Sequence, residues 1–362
     1  MITRDLRHRI TSAVAAAGFA AATDPGLRPT GTSGQYAASV ALALGPNPRQ
    51  AAAALAARLG EEPWIAAAEV TGPGYLTITV TPAALAAVAD TVTAAGPACV
   101  TSDALAGVAV PAAPPGDPLA AATWEKARTA LAARLTARLA AAAGATVADL
   151  AATERQRPAL PAHASSLDAA ESPAAAVSFA GRDAVTFTLA RAIPGQPLRL
   201  DKEIMARRLP ANPAYAVRYA HARAASAVRW AATSSAADTI TAGEIPELSV
   251  PAGGADKMAV RAIGPARRGI GGYRGSSPRE ILLDALSWLP ERVATAARRG
   301  RPDEFARYLE DLASVTVDVL SSASHPGSGA APGSDKLGLA SAARTGLAAG
   351  LGLLEVTAPE RL

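Results

Sequence analysis

The side chains with the clearest chemical potential lie together in residues 212–229, which read NPAYAVRYAHARAASAVR. This segment holds two tyrosines, one histidine and three arginines. Guanidinium groups bind phosphate oxygens, and aromatic rings stack on unpaired bases. The segment therefore suits a surface that binds nucleic acid. A solvated basic helix face would use the same residue types, and spacing alone does not separate the two interpretations.

A single helix is predicted to position these side chains. Asn212-Pro213 is typical of a helix start, with Asn212 as the cap and Pro213 in the first turn. The chain then continues without glycine or proline to Ala232, which predicts one uninterrupted helix. Steps of three and four residues predict its buried stripe: Val217, Ala220, Ala224, Ala227 and Val228.

Residues 212–223, NPAYAVRYAHAR, carry a resemblance to a known family. They resemble the N-P-x-Y-x-V-Q-Y-A-H-A-R segment of arginyl-tRNA synthetases, which joins the catalytic domain of that family to its anticodon-binding domain. The resemblance covers nearly every position. The clearest departure is Arg218, because the family usually has glutamine there. Arginine carries a permanent positive charge and glutamine a neutral amide, so no role of that amide is carried over to Arg218.

Length and composition predict a soluble, cytoplasmic chain of two or three domains. Of the 362 residues, 50% are hydrophobic but only 4% are aromatic, so the core must consist of alanine, leucine and valine. The one cysteine, Cys99, excludes an internal disulfide and a cysteine-based zinc site. The sequence shows neither a secretory signal nor a run of about 18 apolar residues free of charge and proline. No membrane partner is expected.

Positive charge is concentrated rather than spread. The net charge is only +4, with a pI of about 9.4. Residues 201–301 hold sixteen Lys/Arg against nine Asp/Glu, a local excess of seven. Such a basic region favours a partner with a phosphate backbone.

Residues 1–95 are predicted to form a small N-terminal α/β domain. YLTITVT, residues 75–81, is the best strand in the sequence, since β-branched and aromatic residues follow a Gly-Pro-Gly turn. EVTGPGYLTITV resembles the N-terminal add-on domain of arginyl-tRNA synthetases, which touches the outer corner of tRNA. The resemblance implies that Tyr75 and Thr77 face RNA. Alternatively, Tyr75 caps the sheet and Thr77 fills an exposed strand position. The other predicted elements are helices 4–18, 48–59 and 82–95 and strands 37–44 and 64–70.

Residues 96–178 are predicted to be an Ala/Pro-rich linker with one helix, over 123–143. In that helix Leu131, Leu135 and Leu139 stack at steps of four residues. After Asp149 the sequence predicts a loop. The apolar helix of this segment is a candidate docking surface for a protein.

Residues 179–362 are predicted to contain an all-α bundle, with a loop over 233–278. GRDAVTFTLAR, which begins at Gly181, and the residues that follow it up to Arg223 resemble the closing part of the catalytic domain of arginyl-tRNA synthetases, so the resemblance implies a remnant of that domain here. FARYLEDLA and AARTGLAAGLGLLEVTAPERL resemble the DALR-type anticodon-binding bundle of arginyl-tRNA synthetases. The resemblance implies RNA contact by Arg307 and Tyr308. Alternatively, this helix is a core element in which Asp311 pairs with Arg307. Three helices are expected after the loop, over 281–289, 305–320 and 336–354, and the fold class is α+β.

The catalytic motifs of this enzyme class are missing from the sequence. A His-x-Gly-His helix start would help to hold the phosphates of ATP, but none of the four histidines begins that pattern. Only about 85 residues separate the add-on domain from Ala180, and a nucleotide-binding domain with its insertions needs well over twice that. No catalytic residue, metal site or cofactor is predicted.

The run from Arg267 to Gly275, RRGIGGYRG, looks like a phosphate loop but lacks its Gly-Lys-Ser/Thr ending. It is interpreted as a basic loop that contacts RNA, or as a plain linker.

The leading hypothesis is a non-catalytic relative of arginyl-tRNA synthetase that binds tRNA through both end domains. A second hypothesis is a protein-interaction module derived from synthetase domains, with a complete synthetase or another enzyme as partner. A third is a degenerate arginine–tRNA ligase that retains ATP-dependent aminoacylation. The predicted RNA-binding residues are Tyr75, Thr77, Arg218, Tyr219, His221, Arg223, Arg229, Arg267, Arg268, Arg307 and Tyr308.

Overall fold

The computed structural model combines a four-stranded antiparallel sheet and its helices, a short parallel strand pair and a helical bundle. The predicted α+β class is confirmed at this coarse level, because helices predominate and both sheets are small. The residues that the structure describes are 1–19, 24–148, 172–198, 200–237, 273, 275–322 and 334–362.

The N-terminal part is built around the four-stranded sheet, in the order β1-β2-β4-β3 with neighbouring strands antiparallel. In β4, Leu76 and Ile78 are buried and Tyr75 is exposed, as the alternation predicts. Gly74 precedes β4 with a φ of 144°, and a Cβ there would lie 2.7 Å from the Cβ of Pro48, so the turn requires glycine. The elements are α1 (Ile2–Ala16), β1 (Arg28–Pro29), β2 (Gln35–Ala38), α2 (Pro48–Leu59), β3 (Ile65–Thr71), β4 (Tyr75–Val80), α3 (Pro82–Ala86) and α4 (Val88–Ala95).

The strand predicted over 37–44 ends early. β2 stops at Ala38, and Val40–Ala43 forms a 3-10 helix. Val40 and Ala41 are both buried. Two adjacent buried residues do not fit a strand that buries only one face. Because residues 40–44 are all apolar, their sequence does not distinguish a strand from a 3-10 helix.

The middle of the chain holds more structure than the predicted linker with one helix. The predicted helix is confirmed as α5, capped by Thr123, and Leu131, Leu135 and Leu139 are buried. This seam packs inside the chain, against α7 and the C-terminal bundle, so it is not open to a protein partner. Strands on either side of α5 pair in parallel. Residues 149–171, predicted as loop, lie outside the described residues. The elements are β5 (Ala109–Pro111), α5 (Trp124–Ala142), β6 (Thr146–Ala148), α6 (Pro173–Ala180), α7 (Arg182–Ala190) and α8 (Lys202–Ala206).

Among the described residues, the C-terminal bundle has four helices after the long helix α9, where three were predicted. Pro290 was interpreted as a break, but it lies in the first turn of α11, a position that proline favours. α9 packs against α12 and α13, and α10 packs against α12. Most of the predicted loop over 233–278 lies outside the described residues. The helices are α9 (Pro213–Ala237), α10 (Pro278–Ser287), α11 (Leu289–Arg299), α12 (Pro302–Ser322) and α13 (Ser334–Leu353).

Within the described residues, Pro82–Val100 is long and apolar enough to cross a membrane by length and composition. It is not one helix, because α3 and α4 divide at Ala87 and a 3-10 helix begins at Gly96. The single helix predicted over 82–95 is therefore wrong at that break. α4 and the 3-10 helix pack against α13, with Val92 and Val100 buried, so these apolar residues contribute to the core.

The N-terminal part packs directly on the C-terminal bundle through a buried ion pair. Arg7 of α1 bonds Glu291 of α11 twice, with Nη2 2.5 Å from Oε1 and Nε 3.3 Å from Oε2. The two side chains are only 6% and 8% exposed. Thr3 donates a hydrogen bond of 2.5 Å to the carbonyl of Ser287 nearby. These contacts join elements from opposite ends of the sequence.

A buried carboxylate, Asp284 of α10, forms a second link. Its Oδ1 accepts hydrogen bonds from the backbone N–H of Gly34 at 3.1 Å and from the hydroxyl of Tyr36 at 2.9 Å. The hydroxyl of Tyr273 donates to Oδ2 at 2.5 Å. Burial raises the pKa of the Asp284 carboxyl, although these hydrogen bonds act in the opposite direction. Strand β2 of the sheet and helix α10 of the bundle are thus held against each other by hydrogen bonds.

Candidate nucleic-acid interface

The start of α9 is fixed by Asn212, as the sequence predicts. Its Oδ1 accepts hydrogen bonds from the N–H groups of Ala214 and Tyr215 at 3.1 and 3.4 Å. Its Nδ2 donates to the carbonyls of Met205 and Arg207 at 2.7 and 3.0 Å. One buried amide therefore caps the helix and ties it to α8.

One face of α9 is covered by residues 357–360, here named the strap. Arg218 Nη2 lies 3.3 Å from Asp183 Oδ2 and 3.4 Å from Thr357 Oγ1. Asp183, on α7, also accepts hydrogen bonds from the N–H and the hydroxyl of Thr357. Arg218 and Asp183 thus hold the first residue of the strap.

His221 and Arg229 hold the other end of the strap. His221 Nδ1 lies 2.9 Å from the carbonyl oxygen of Pro359, and since a carbonyl only accepts, Nδ1 must carry the proton. Arg229 Nη1 donates to the Glu360 carbonyl at 2.8 Å and lies 3.2 Å from its Oε2. All three predicted RNA-binding residues on this face are engaged by the chain itself.

His221 is 1% exposed, so its predicted contact with RNA does not fit its position. Burial lowers the pKa of its imidazole, and the Pro359 carbonyl only partly offsets that effect. The neutral ring is therefore the form that holds the strap.

The pKa of His221 predicts a loss of stability in acid. A histidine whose folded-state pKa is lowered stabilises the fold fully above about pH 6.5, its ordinary pKa, and this contribution is lost as pH falls through the folded value. We expect His221→Gln to flatten the decline in unfolding free energy from neutral to mildly acidic pH, measured by urea denaturation. His8→Gln, which removes an exposed histidine, is the control. Equal profiles for both variants would contradict this role of His221.

The neighbouring face of α9, here named the aromatic face, carries Tyr215, Tyr219, Arg223 and Trp230. The two tyrosine rings stack with centroids 5.9 Å apart and planes at 21°, and Arg223 Nη1 donates to the Tyr219 hydroxyl at 3.2 Å. Trp230 is 71% exposed. Steps of four, four and seven residues place all of them on one side of the helix. Tyr215 and Tyr219 are half-buried, and Tyr219 also packs against the core. An exposed indole on the same face as half-buried tyrosines and a guanidinium forms a type of surface on which unpaired bases stack.

Tyr75 and Thr77 lie on the outer face of the N-terminal sheet. Tyr75 is 42% exposed, and Thr77 is half-buried with its hydroxyl 3.3 Å from that of Thr71. Both residues are accessible to a ligand from the side of the sheet that faces away from the core.

Arg307 and Tyr308 both donate hydrogen bonds to backbone carbonyls of the chain itself. Tyr308 is 4% exposed and donates to the carbonyl of Ala285, so the predicted stacking on RNA does not fit its burial in the bundle. Arg307 Nη2 donates to the carbonyl of Arg191 at 3.2 Å. In this helix the core interpretation of the sequence describes Tyr308 better.

Two predicted RNA-binding residues, Arg267 and Arg268, lie outside the described residues. Across the ranges that the structure describes, no group of three or more His, Cys, Asp or Glu side chains could hold a metal ion.

Sequence reasoning missed two residues of this region. Trp230 follows Tyr219 by three helical turns, and that spacing could have placed it on the aromatic face. Arg344 of α13 donates to Glu360 Oε1 with Nη2 at 2.7 Å. No sequence signal connects Arg344 with Arg229, because only the packing of α13 on α9 brings them to one carboxylate.

Comparison with known proteins matches both ends of the chain. Residues 4–80 match the sequence model of the arginyl tRNA synthetase N terminal domain, and residues 269–362 match that of the DALR anticodon binding domain. Both are described as domains of the aminoacyl-tRNA synthetase machinery, one for arginyl-tRNA synthetase and one for anticodon binding.

Two curated relatives agree with these domain matches. The arginine–tRNA ligase of Frankia alni is 32% identical over 193 residues, and that of Micrococcus luteus is 36% identical over 195 residues. Each alignment covers 51% of this chain and 30% of the relative. The solved arginyl-tRNA synthetase of Thermus thermophilus is similar over 70% of this chain and 34% of that chain, with 19% identity and a TM-score of 0.34.

The chain thus carries sequences similar to two domains of arginyl-tRNA synthetases, one at each end. It spans about 30% of the length of the curated relatives that it matches.

Proposed function

We propose that this chain binds tRNA and does not itself attach arginine. The observation that carries the proposal is the direct packing of the two matched ends through the Arg7–Glu291 ion pair and the Asp284 cluster. In the family, the N-terminal domain touches the corner of tRNA and the DALR bundle touches the anticodon arm, as the resemblance implies. A chain that holds these two parts against each other suits tRNA binding.

The aromatic face of α9 is the proposed site for unpaired bases. Trp230 offers an exposed ring and Tyr219 a half-buried one, and Arg223 adds a cation beside Tyr219. On the sheet, Tyr75 and Thr77 are the proposed contacts with the tRNA corner. The local excess of positive charge over 201–301, which includes Arg267 and Arg268, favours attraction of the phosphate backbone.

Two observations support the proposed lack of ligase activity: a motif that the sequence lacks and the small size of the parallel strand pair in the middle of the chain. No histidine in the sequence begins a His-x-Gly-His pattern. Among the described residues, the parallel strands are the two short ones, β5 and β6. A doubly wound nucleotide-binding domain needs a much larger parallel sheet.

A second candidate, a protein-interaction module, is favoured by exposed apolar side chains near the start of α9. Phe179 on α6 is 59% exposed, Ile204 on α8 is 39% exposed, and Leu209 is 51% exposed. α6 and α8 pack against each other, so these side chains lie in one region. Exposed apolar groups that lie together are typical of protein interfaces. The partner would be a complete synthetase or another enzyme.

Two assays on one preparation separate the candidates. We expect no ATP–pyrophosphate exchange with arginine, with or without tRNA, because the sequence has no His-x-Gly-His helix start to help hold the phosphates of ATP. We also expect RNA to copurify and to be identified as tRNA by sequencing. Exchange well above background would instead support a degenerate arginine–tRNA ligase. A copurifying protein without RNA would favour the interaction module.

A further inference from the structure

Arg229 of α9 and Arg344 of α13 converge on one carboxylate. Arg344 bonds Glu360 Oε1 with Nη2 at 2.7 Å and Nε at 3.1 Å. Arg229 Nη1 lies 3.2 Å from Glu360 Oε2 and 2.8 Å from the carbonyl of the same residue. Two guanidinium groups on different helices thus surround a single anionic group.

This arrangement is the one that arginines use for phosphate. A guanidinium offers parallel N–H donors that match two oxygens of a carboxylate or of a phosphate equally well. The hydrogen bonds from Arg344 hold the pKa of the Glu360 carboxyl below its usual range, so the group is an anion at neutral pH. Glu360 therefore occupies the position that a phosphate oxygen pair would take.

The site is open to solvent, and its occupant is weakly held. The side chains of Arg229, Arg344 and Glu360 are 39%, 41% and 49% exposed. Exposed ion pairs contribute little to stability, so a polyanion can compete for the arginines. The first residue of the strap, Thr357, is held separately by Asp183, so Glu360 can leave while the strap stays attached.

We propose that Arg229 and Arg344 form a binding site for an RNA backbone phosphate, and that Glu360 fills this site in the free chain. The proposal rests on the proposed function, because it names where one phosphate of the bound RNA lies. His221, which faces the same strap, remains bonded to the Pro359 carbonyl and is not a phosphate ligand.

The test compares three variants with the unmodified chain in binding of total tRNA at low salt. Glu360→Gln removes the competing charge, and we expect Kd to fall by about two- to fivefold, the competition of an exposed ion pair. Glu304→Gln is the matched control, because Glu304 also pairs with an arginine on the surface, Arg299, at 3.2 Å. The double variant E360Q/R344Q should not show this fall in Kd, because it lacks one of the two arginines of the site. An unchanged or raised Kd for E360Q, or an equal gain for E304Q, overturns the site.

A second measurement makes the site testable without RNA. Pyrophosphate is titrated into nitrogen-labelled chain, and the Nε–H resonance of Arg344 is assigned by its absence in Arg344→Lys. We expect this resonance to shift in E360Q at lower pyrophosphate concentration than in the unmodified chain. If the shift occurs but no form of the chain binds tRNA, the proposed function fails and the anion site stands. If tRNA binds but E360Q changes neither measurement, only the site is overturned.

Discussion

Replacing Arg7 with methionine is expected to lower the free energy of unfolding by about 3–5 kcal/mol, the cost of leaving one member of a buried ion pair alone. The methionine keeps most of the apolar stem of Arg7, so little packing is lost. Glu291, whose side chain is 8% exposed, is then left buried without its cation. Urea denaturation followed by circular dichroism measures the change.

The double variant R7M/E291L provides the control for this prediction. A buried ion pair replaced by apolar residues of similar volume often leaves stability nearly unchanged, so the double variant should recover most of the loss. If R7M alone costs less than about 1 kcal/mol, which is the range of a surface pair, the ion pair does not link the two ends of the chain as described.

Replacing Trp230 with alanine is expected to weaken tRNA binding by roughly five- to hundredfold. Stacking of one base on an aromatic ring contributes about 1–3 kcal/mol, and each 1.4 kcal/mol is about tenfold in Kd. Trp230 is 71% exposed, so its removal should leave the urea midpoint nearly unchanged. Filter binding or fluorescence anisotropy with total tRNA measures the effect.

Phe179→Ala is the matched control for this variant. Phe179 is also an exposed aromatic residue, 59% exposed, but it lies on α6 rather than on the aromatic face. We expect it to leave Kd unchanged. If both variants bind tRNA as the unmodified chain does, the aromatic face is not where bases stack. If F179A alone weakens binding, the RNA surface lies on α6 instead.

Local sequence signals predicted much of the fold because they act over a few residues. The cap at Asn212, the alternation in β4 and the leucine seam of α5 all appear where expected. The errors lie where two local signals compete. Pro290 can end a helix or begin one, and the apolar run after Ala38 can be a strand or a tight helix. The division of the chain at residues 95 and 178 stays a prediction.

The candidate site was less predictable, because its contacts come from distant parts of the chain. Arg218, His221 and Arg229 are predicted from the sequence to contact RNA, but in the fold they contact Asp183 and residues 357–360. Sequence spacing shows that a side chain lies on a helix face, but it does not show what packs on that face. Tyr219 and Arg223 lie on the aromatic face, where the proposed stacking surface is.

Binding of total tRNA to the unmodified chain across a salt series tests the central claim most directly. If the chain neutralises about four phosphates, log Kd should rise with log salt at a slope of about 3.6, so that a fourfold increase in salt raises Kd roughly a hundredfold. That result, with tight binding at low salt, is what a tRNA-binding member of the family predicts. No binding at low salt, or a Kd that does not change with salt, would contradict the account.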